Sequence, residues 1–129
     1  MKTIIIALSL VLVACSSSSN QAGNLLSSTK FESKIKTTSD AQIIDVRTPE
    51  EVAEGCIENA INIDYKSDDF SSKINQLDKN KPTFVYCLSG GRSSGAVEEF
   101  KANGFKTVYE LDGGISQWSA DGLPIIAPN

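Results

Sequence analysis

The feature that most constrains this chain is an alternation: four short apolar runs, each parted from the next by a segment with helical spacing or a helix-start signature. The runs are Ile43-Ile44-Asp45-Val46, Ala60-Ile61-Asn62-Ile63, Thr83-Phe84-Val85-Tyr86 and Thr107-Val108-Tyr109-Glu110-Leu111. They carry many β-branched and aromatic side chains, and the third shows no polar alternation, as expected of a strand covered on both faces. After the first run, Thr48 is placed to cap a helix, Pro49 suits its first turn, Glu51 sits at the capping-box position and Gly55 ends it. The stretch from Ser67 to Leu77 sets Phe70, Ile74 and Leu77 on one helical face, and the stretch from Ser93 to Asn103 does the same with Ala96, Val97 and Phe100 before Gly104 closes it. Asp112-Gly113-Gly114 turns the chain into a last short helix, Ile115 to Ala120, with Trp118 on its buried side. Strands alternating with helices specify an α/β fold, an open and mostly parallel sheet flanked by helices on both faces. Ligands of such sheets bind at the carboxyl ends of the strands. Two polar groups fall there: Asp45 and Arg47 after the first run, and the loop from Cys87 to Arg92 after the third.

The N-terminal segment reads as an address. Lys2 supplies a positive start, and Ile4 to Ala14 is apolar except for Ser9. At about 1.5 Å per residue the run spans about 16 Å, half of a bilayer core, so a signal-peptide core is expected rather than a spanning helix. It ends in Leu12-Val13-Ala14-Cys15, followed by Ser16-Ser17-Ser18-Ser19-Asn20. The organisation expected is therefore a signal peptide over 1–14, a tether over 15–30 and one folded domain over 31–129. Phe31 and Ile35, four apart, suit a helical turn that opens the domain.

Composition removes several classes of function. The chain has no His, which excludes Ser-His-Asp and Cys-His catalysis and any His-ligated metal site. No metal or organic cofactor is expected. The net charge is −4 and no basic cluster occurs, so nucleic acid is not expected as a partner.

The loop Tyr86-Cys87-Leu88-Ser89-Gly90-Gly91-Arg92-Ser93 lies between a strand and a helix. A Cys at a strand end is most simply a small core hydrophobe, but core packing does not ask for two glycines and an arginine at a helix start. A helix N-terminus has unpaired N–H groups and a partial positive charge. Gly90 and Gly91 permit positive φ and an anion nest of backbone N–H groups, and Arg92 adds a fixed charge. Each of these favours a thiolate over a thiol at Cys87. A depression of about two pKa units needs only about 2.7 kcal/mol.

Four blocks now carry a resemblance: Ile43-Ile44-Asp45-Val46-Arg47-Thr48-Pro49-Glu50-Glu51; Glu54-Gly55-Cys56-Ile57-Glu58-Asn59-Ala60-Ile61-Asn62-Ile63; Val85-Tyr86-Cys87-Leu88-Ser89-Gly90-Gly91-Arg92-Ser93; and Leu111-Asp112-Gly113-Gly114-Ile115-Ser116-Gln117-Trp118. In this order, over roughly Ala41 to Ile125, the chain resembles a single-domain rhodanese. The resemblance implies a sulfurtransferase in which Cys87 accepts a sulfane sulfur from a donor such as thiosulfate and passes it to a thiol or a cyanide-like acceptor. It assigns the persulfide cradle to Leu88, Ser89, Gly90, Gly91, Arg92 and Ser93. Asp45 and Arg47 become supports at the neighbouring strand end, for which capping and a surface ion pair are nearly as good an explanation. Four residues separate Cys87 from Arg92; phosphatases of related fold have one more, and the tighter loop suits a sulfur atom. Leu88 and Ser89 add no charge, so only modest attraction for the thiosulfate dianion is expected. The family usually shows Gly-His-Ile where this chain has Gly55-Cys56-Ile57.

The N-terminal block resembles the lipobox of bacterial lipoproteins, which implies that Cys15 is the lipidated first residue of the mature chain. The domain is then expected as a monomer, tethered by lipid in the cell envelope and facing the periplasm, with Ser16 favouring the outer membrane over the inner. Two other functions stay open: a non-catalytic rhodanese-like module that binds a protein, and a thiol–disulfide redox protein using Cys56 and Cys87. The absence of a Cys-x-x-Cys pair weighs against the second. Cys56 is expected as a buried hydrophobe, unbonded to Cys87, because the two would enter and leave a parallel sheet at opposite edges.

Overall fold

The computed structural model describes residues 24–129. The expected signal segment, and Cys15 with it, lie outside the described residues. Ten elements follow in order: β1 (Leu25–Leu26), α1 (Ser28–Lys36), β2 (Gln42–Asp45), α2 (Pro49–Ala53), β3 (Ala60–Asn62), α3 (Phe70–Ile74), β4 (Thr83–Tyr86), α4 (Gly91–Ala102), β5 (Val108–Leu111) and α5 (Gly114–Ala120). The strands form one sheet in the order β1-β5-β4-β2-β3, and every pair is parallel. The open parallel sheet read from the alternation is thus present, with one strand more than the four apolar runs.

That strand corrects the domain boundary. Leu25 and Leu26, which fall within the expected tether, add an edge to the sheet, where Glu110 and Asp112 donate their N–H groups to Asn24 and Leu26 carbonyls, both at 2.8 Å. Two residues are too few to show a period, so nothing in the local pattern marks them. The helix that follows also starts before Phe31, at Ser28. Its reason is tertiary: Phe31, fully buried, sits edge-on to Phe84 at 5.3 Å and to Trp118 at 6.3 Å.

Both faces of the sheet are covered, and the strands alternate between two core layers. Ile44, Val46, Val85, Cys87 and Val108 join Phe70, Ile74, Ala96, Val97 and Phe100 beneath α3 and α4. Ile43, Phe84, Tyr86 and Leu111 join Phe31, Ile57, Ile115 and Trp118 beneath α1 and α5. All four residues of β4 are buried, which makes it the spine of the sheet and places the next residue, Cys87, at its carboxyl end. The helix expected over Ser67 to Leu77 is helical only from Phe70 to Ile74; turns at Ser67 and Leu77 carry the rest.

Candidate active site

Cys87 leaves the spine strand and the chain closes over its sulfur within three residues. Gly90, the N-cap of α4, adopts φ +115° and aims its N–H at Cys87 Sγ, 3.0 Å away. A side chain there would meet no neighbour; the backbone conformation itself is what calls for glycine. Gly91 takes no positive φ and is simply the first residue of α4, so the expected two-glycine nest is built differently. The backbone N–H groups that favour the thiolate belong to Ser93, Gly90 and Ser89.

A second helix terminus holds the loop from outside. At the start of α5, Ile115 N–H donates to the Cys87 carbonyl at 2.9 Å and Ser116 N–H to the Leu88 carbonyl at 3.0 Å. Gly114 permits this approach, because a Cβ on it would stand 2.4 Å from the Leu88 oxygen. The Asp112-Gly113-Gly114 turn therefore belongs to the site rather than merely ending a strand.

Cys87 is 1% exposed. Burial, the largest single influence, pushes its thiol up; the Ser93 hydroxyl and the three backbone N–H groups together outweigh it, and the thiol is held below its ordinary range. The Ser93 hydroxyl lies 3.4 Å from Sγ and is itself fully buried. Glu110, on β5, was missed as a site residue: its Oε2 is 2.7 Å from Ser93 Oγ and 3.1 Å from Ser94 Oγ. Its signal was hidden because a Glu alternating with apolar residues in a strand reads as a solvent-facing position.

Arg92 corrects a second expectation. Its guanidinium makes no hydrogen bond to the sulfur and acts on it only through space; its hydrogen bonds form a bidentate pair with Glu51, Nη1 to Oε2 and Nη2 to Oε1, each at 2.8 Å. The capping box of α2 is present as read, Thr48 N donating to Glu51 Oε2 at 2.9 Å. Glu51 therefore ties the start of α2 to the start of α4. Its carboxyl is held at about 2, chiefly by Arg92 and then, against the cost of burial, by Thr48. The positive charge assigned to the cradle is thus largely compensated.

Asp45 and Arg47 form a buried pair, not a surface one: Asp45 is fully buried and Arg47 is 4% exposed. Arg47 Nη2 and Nε donate to the two carboxylate oxygens at 2.7 and 3.0 Å, and Nη2 also holds the Gly55 carbonyl at 2.7 Å. This pair fastens the segment after α2 to the carboxyl edge of β2. The loop is flanked on that side by a cavity of ≈ 390 Å³, bordered by half-exposed Leu88 and Ile125, buried Ile115, and the hydroxyls of Ser116 and Ser119. A cavity of similar size, ≈ 400 Å³, lies against Trp118 and Ile35 and includes no residue of the Cys87 loop.

Cys56 and Cys87 are both free thiols, as expected, although they do not lie at opposite edges of the sheet. Arg47 bonded to Gly55, and the Tyr86 hydroxyl accepting from Ile57 N at 3.1 Å, bring the Cys56 segment to the same carboxyl edge. Ile57, the residue after Cys56, belongs to the layer under α1 and α5, whereas Cys87 belongs to the layer under α3 and α4. Cys56 is 5% exposed and pairs through its backbone with Ile126, at 2.9 Å in both directions. Burial pushes its thiol up.

Comparison with known proteins agrees with this fold. The model of the rhodanese-like domain matches residues 27–121. A sulfurtransferase of Allochromatium vinosum is 32% identical over 105 residues, covering 81% of this chain and 96% of that one. A putative sulfurtransferase of Bacillus subtilis, YtwF, is 36% identical, covering 77% and 93%. A rhodanese-related protein of Thermoplasma volcanium superposes with a TM-score of 0.72 at 30% identity, covering 81% of this chain and 99% of that one.

Proposed function

This chain belongs to the rhodanese-like domain family, and from that premise we propose that it moves a sulfane sulfur through a persulfide on Cys87. The observation that carries the reading is the Gly90 N–H aimed at Cys87 Sγ from 3.0 Å, at the head of a helix and in a buried site. In the first step the Cys87 thiolate attacks the outer sulfur of the donor. With thiosulfate, the new Sγ–S bond forms as the donor's S–S bond breaks, and sulfite leaves with the electron pair. In the second step an acceptor such as cyanide or a thiolate attacks the outer sulfur, and Cys87 leaves as the thiolate. No oxidant enters either step.

Leu88 to Ser93 cradle the loaded sulfur, with the backbone of Ser89, Gly90 and Ser93 offering the donors. Arg92 acts through shape, since Glu51 holds its charge; Asp45 and Arg47 act as the brace of the neighbouring loop. With both cations paired, thiosulfate gains little from charge, which favours a less highly charged donor in its place.

A thiosulfate–cyanide assay on the described domain, beside Cys87→Ser, tests the mechanism. Thiocyanate from the unmodified protein and none above background from the variant is the expected result. Equal turnover by both removes Cys87 from the mechanism, and no turnover by either with any sulfane donor moves the protein-binding reading to first place. We further propose that Cys15 carries lipid and tethers the domain to the envelope, which Cys15→Ser tests: the protein then leaves the membrane fraction.

A further inference from the structure

The Ser93 hydroxyl has one proton and three neighbours that can receive it. Glu110 Oε2 stands at 2.7 Å, the Gly90 carbonyl at 3.2 Å and Cys87 Sγ at 3.4 Å. A charged acceptor at the shortest distance makes the strongest bond. The proton therefore rests on the line to Glu110, and Ser93 turns a lone pair to the sulfur. A thiol can donate to that lone pair; a thiolate cannot, and faces an oxygen dipole of the wrong sense. We propose that Glu110 is a positioning residue that competes with the Cys87 sulfur for the single proton of Ser93, so that the hydroxyl stabilises the thiolate less than it would without the carboxylate.

The surroundings fit this role. Ser94 places a second hydroxyl 3.1 Å from Glu110 Oε2, shared with the Gly90 carbonyl at 2.9 Å, so a donor is within reach of the carboxylate when Ser93 turns away. On ionisation the S–H proton leaves to solvent base, Ser93 turns its own proton from Oε2 to Sγ, and no covalent bond changes. Once Cys87 carries a second sulfur its inner atom has no proton to give, and Ser93 can stay on Glu110. The device thus acts on the empty thiol, the form most exposed to oxidation as a thiolate.

The other charges around the sulfur do not compete for Ser93. From α4, Arg92 is paired with Glu51 of α2, and Asp64 acts on Arg92 from the loop after β3. From α5 the contacts are backbone N–H groups. Beside Glu110, Lys101 is turned to Glu98 at 3.9 Å.

The inference rests on the reading of Cys87 as the reactive sulfur, but its test reads the thiol itself. Iodoacetamide alkylation of the full chain is followed against pH, with peptide mapping to separate Cys87 from Cys56. Glu110→Gln keeps the size of the side chain and removes its charge. Two effects then act in one direction: Ser93 is freer to donate to the sulfur, and a negative charge is lost within about 6 Å of it. The midpoint of Cys87 alkylation is expected to fall by about one pH unit, and the rate at pH 6 to rise by up to tenfold. In a Ser93→Ala background the same substitution should move the midpoint by less than half as much. A midpoint that stays or rises in Glu110→Gln, or a full shift without Ser93, overturns the proposal. Sulfur loading measured on the same samples is judged separately: failure to load Cys87 at any pH ends the sulfurtransferase mechanism and leaves the alkylation result standing.

Discussion

Two cysteines of this domain are buried to nearly the same depth, 1% exposure for Cys87 and 5% for Cys56, and their environments push them in opposite directions. Around Cys56 burial is the largest influence and the thiol rises. Around Cys87 burial is again the largest single influence, but a helix start, a left-handed glycine and a buried hydroxyl surround the sulfur with donors, and the thiol falls. The comparison teaches that at equal burial the direction of a thiol is set by the donors aimed at its sulfur, here the Ser93 hydroxyl and three backbone N–H groups, while the charge of the nearby Arg92 is shared with Glu51.

The sharpest way to break the comparison is to exchange the two sulfurs for oxygen in turn. Cys87→Ser should lower sulfur transfer by at least about 10³-fold, whereas Cys56→Ser should leave kcat/KM within about twofold; a comparable loss in both would make the two thiols partners. Gly90→Ala tests the aim of the N–H groups. At φ +115° an alanine is strained, so a loss of about 1–2 kcal/mol in stability is expected, with a rise in the pH at which Cys87 is alkylated. An unchanged alkylation profile with lowered stability would show that the Gly90 donor is dispensable.

Glu51→Gln probes the tie between the two helix starts. The carboxyl is held at about 2 against an ordinary 4.5, so its contribution is fully present above about pH 4.5 and is lost as pH falls toward 2. Denaturant melts should show the variant about 1 kcal/mol weaker at pH 7, with the gap closing as the pH is lowered through that window. A gap that widens in acid would mean the pair does not depress the Glu51 carboxyl. The smallest effect is expected of Cys56→Ala, about 1 kcal/mol or less in stability with an unaltered alkylation profile at Cys87.

Much of this is legible in the sequence. The strand–helix alternation specified the parallel sheet, Thr48 and Glu51 marked a capping box that the structure contains, and the position of Cys87 after an apolar run put it at a carboxyl edge. What was not legible depends on contacts between distant residues. β1 exists only because β5 offers an edge to two leucines. The Glu51–Arg92 pair joins residues 41 apart, and an isolated Arg in a loop invites the opposite inference, a free charge beside the sulfur. Glu110 reaches Ser93 from a strand whose pattern suggests solvent. The burial of Asp45 and Arg47 was hidden for the same reason: the Gly55 carbonyl that completes their bonding is supplied by a chain that folds back.

The measurement closest to the centre of the account is a site-resolved sulfur count. The protein is treated with a sulfane donor at pH 6, trapped with an alkylating agent, digested and weighed peptide by peptide. One added sulfur on the peptide of Cys87, and none on that of Cys56, is the result the aimed-donor account requires. Sulfur on Cys56, or on neither while transfer proceeds, would contradict it.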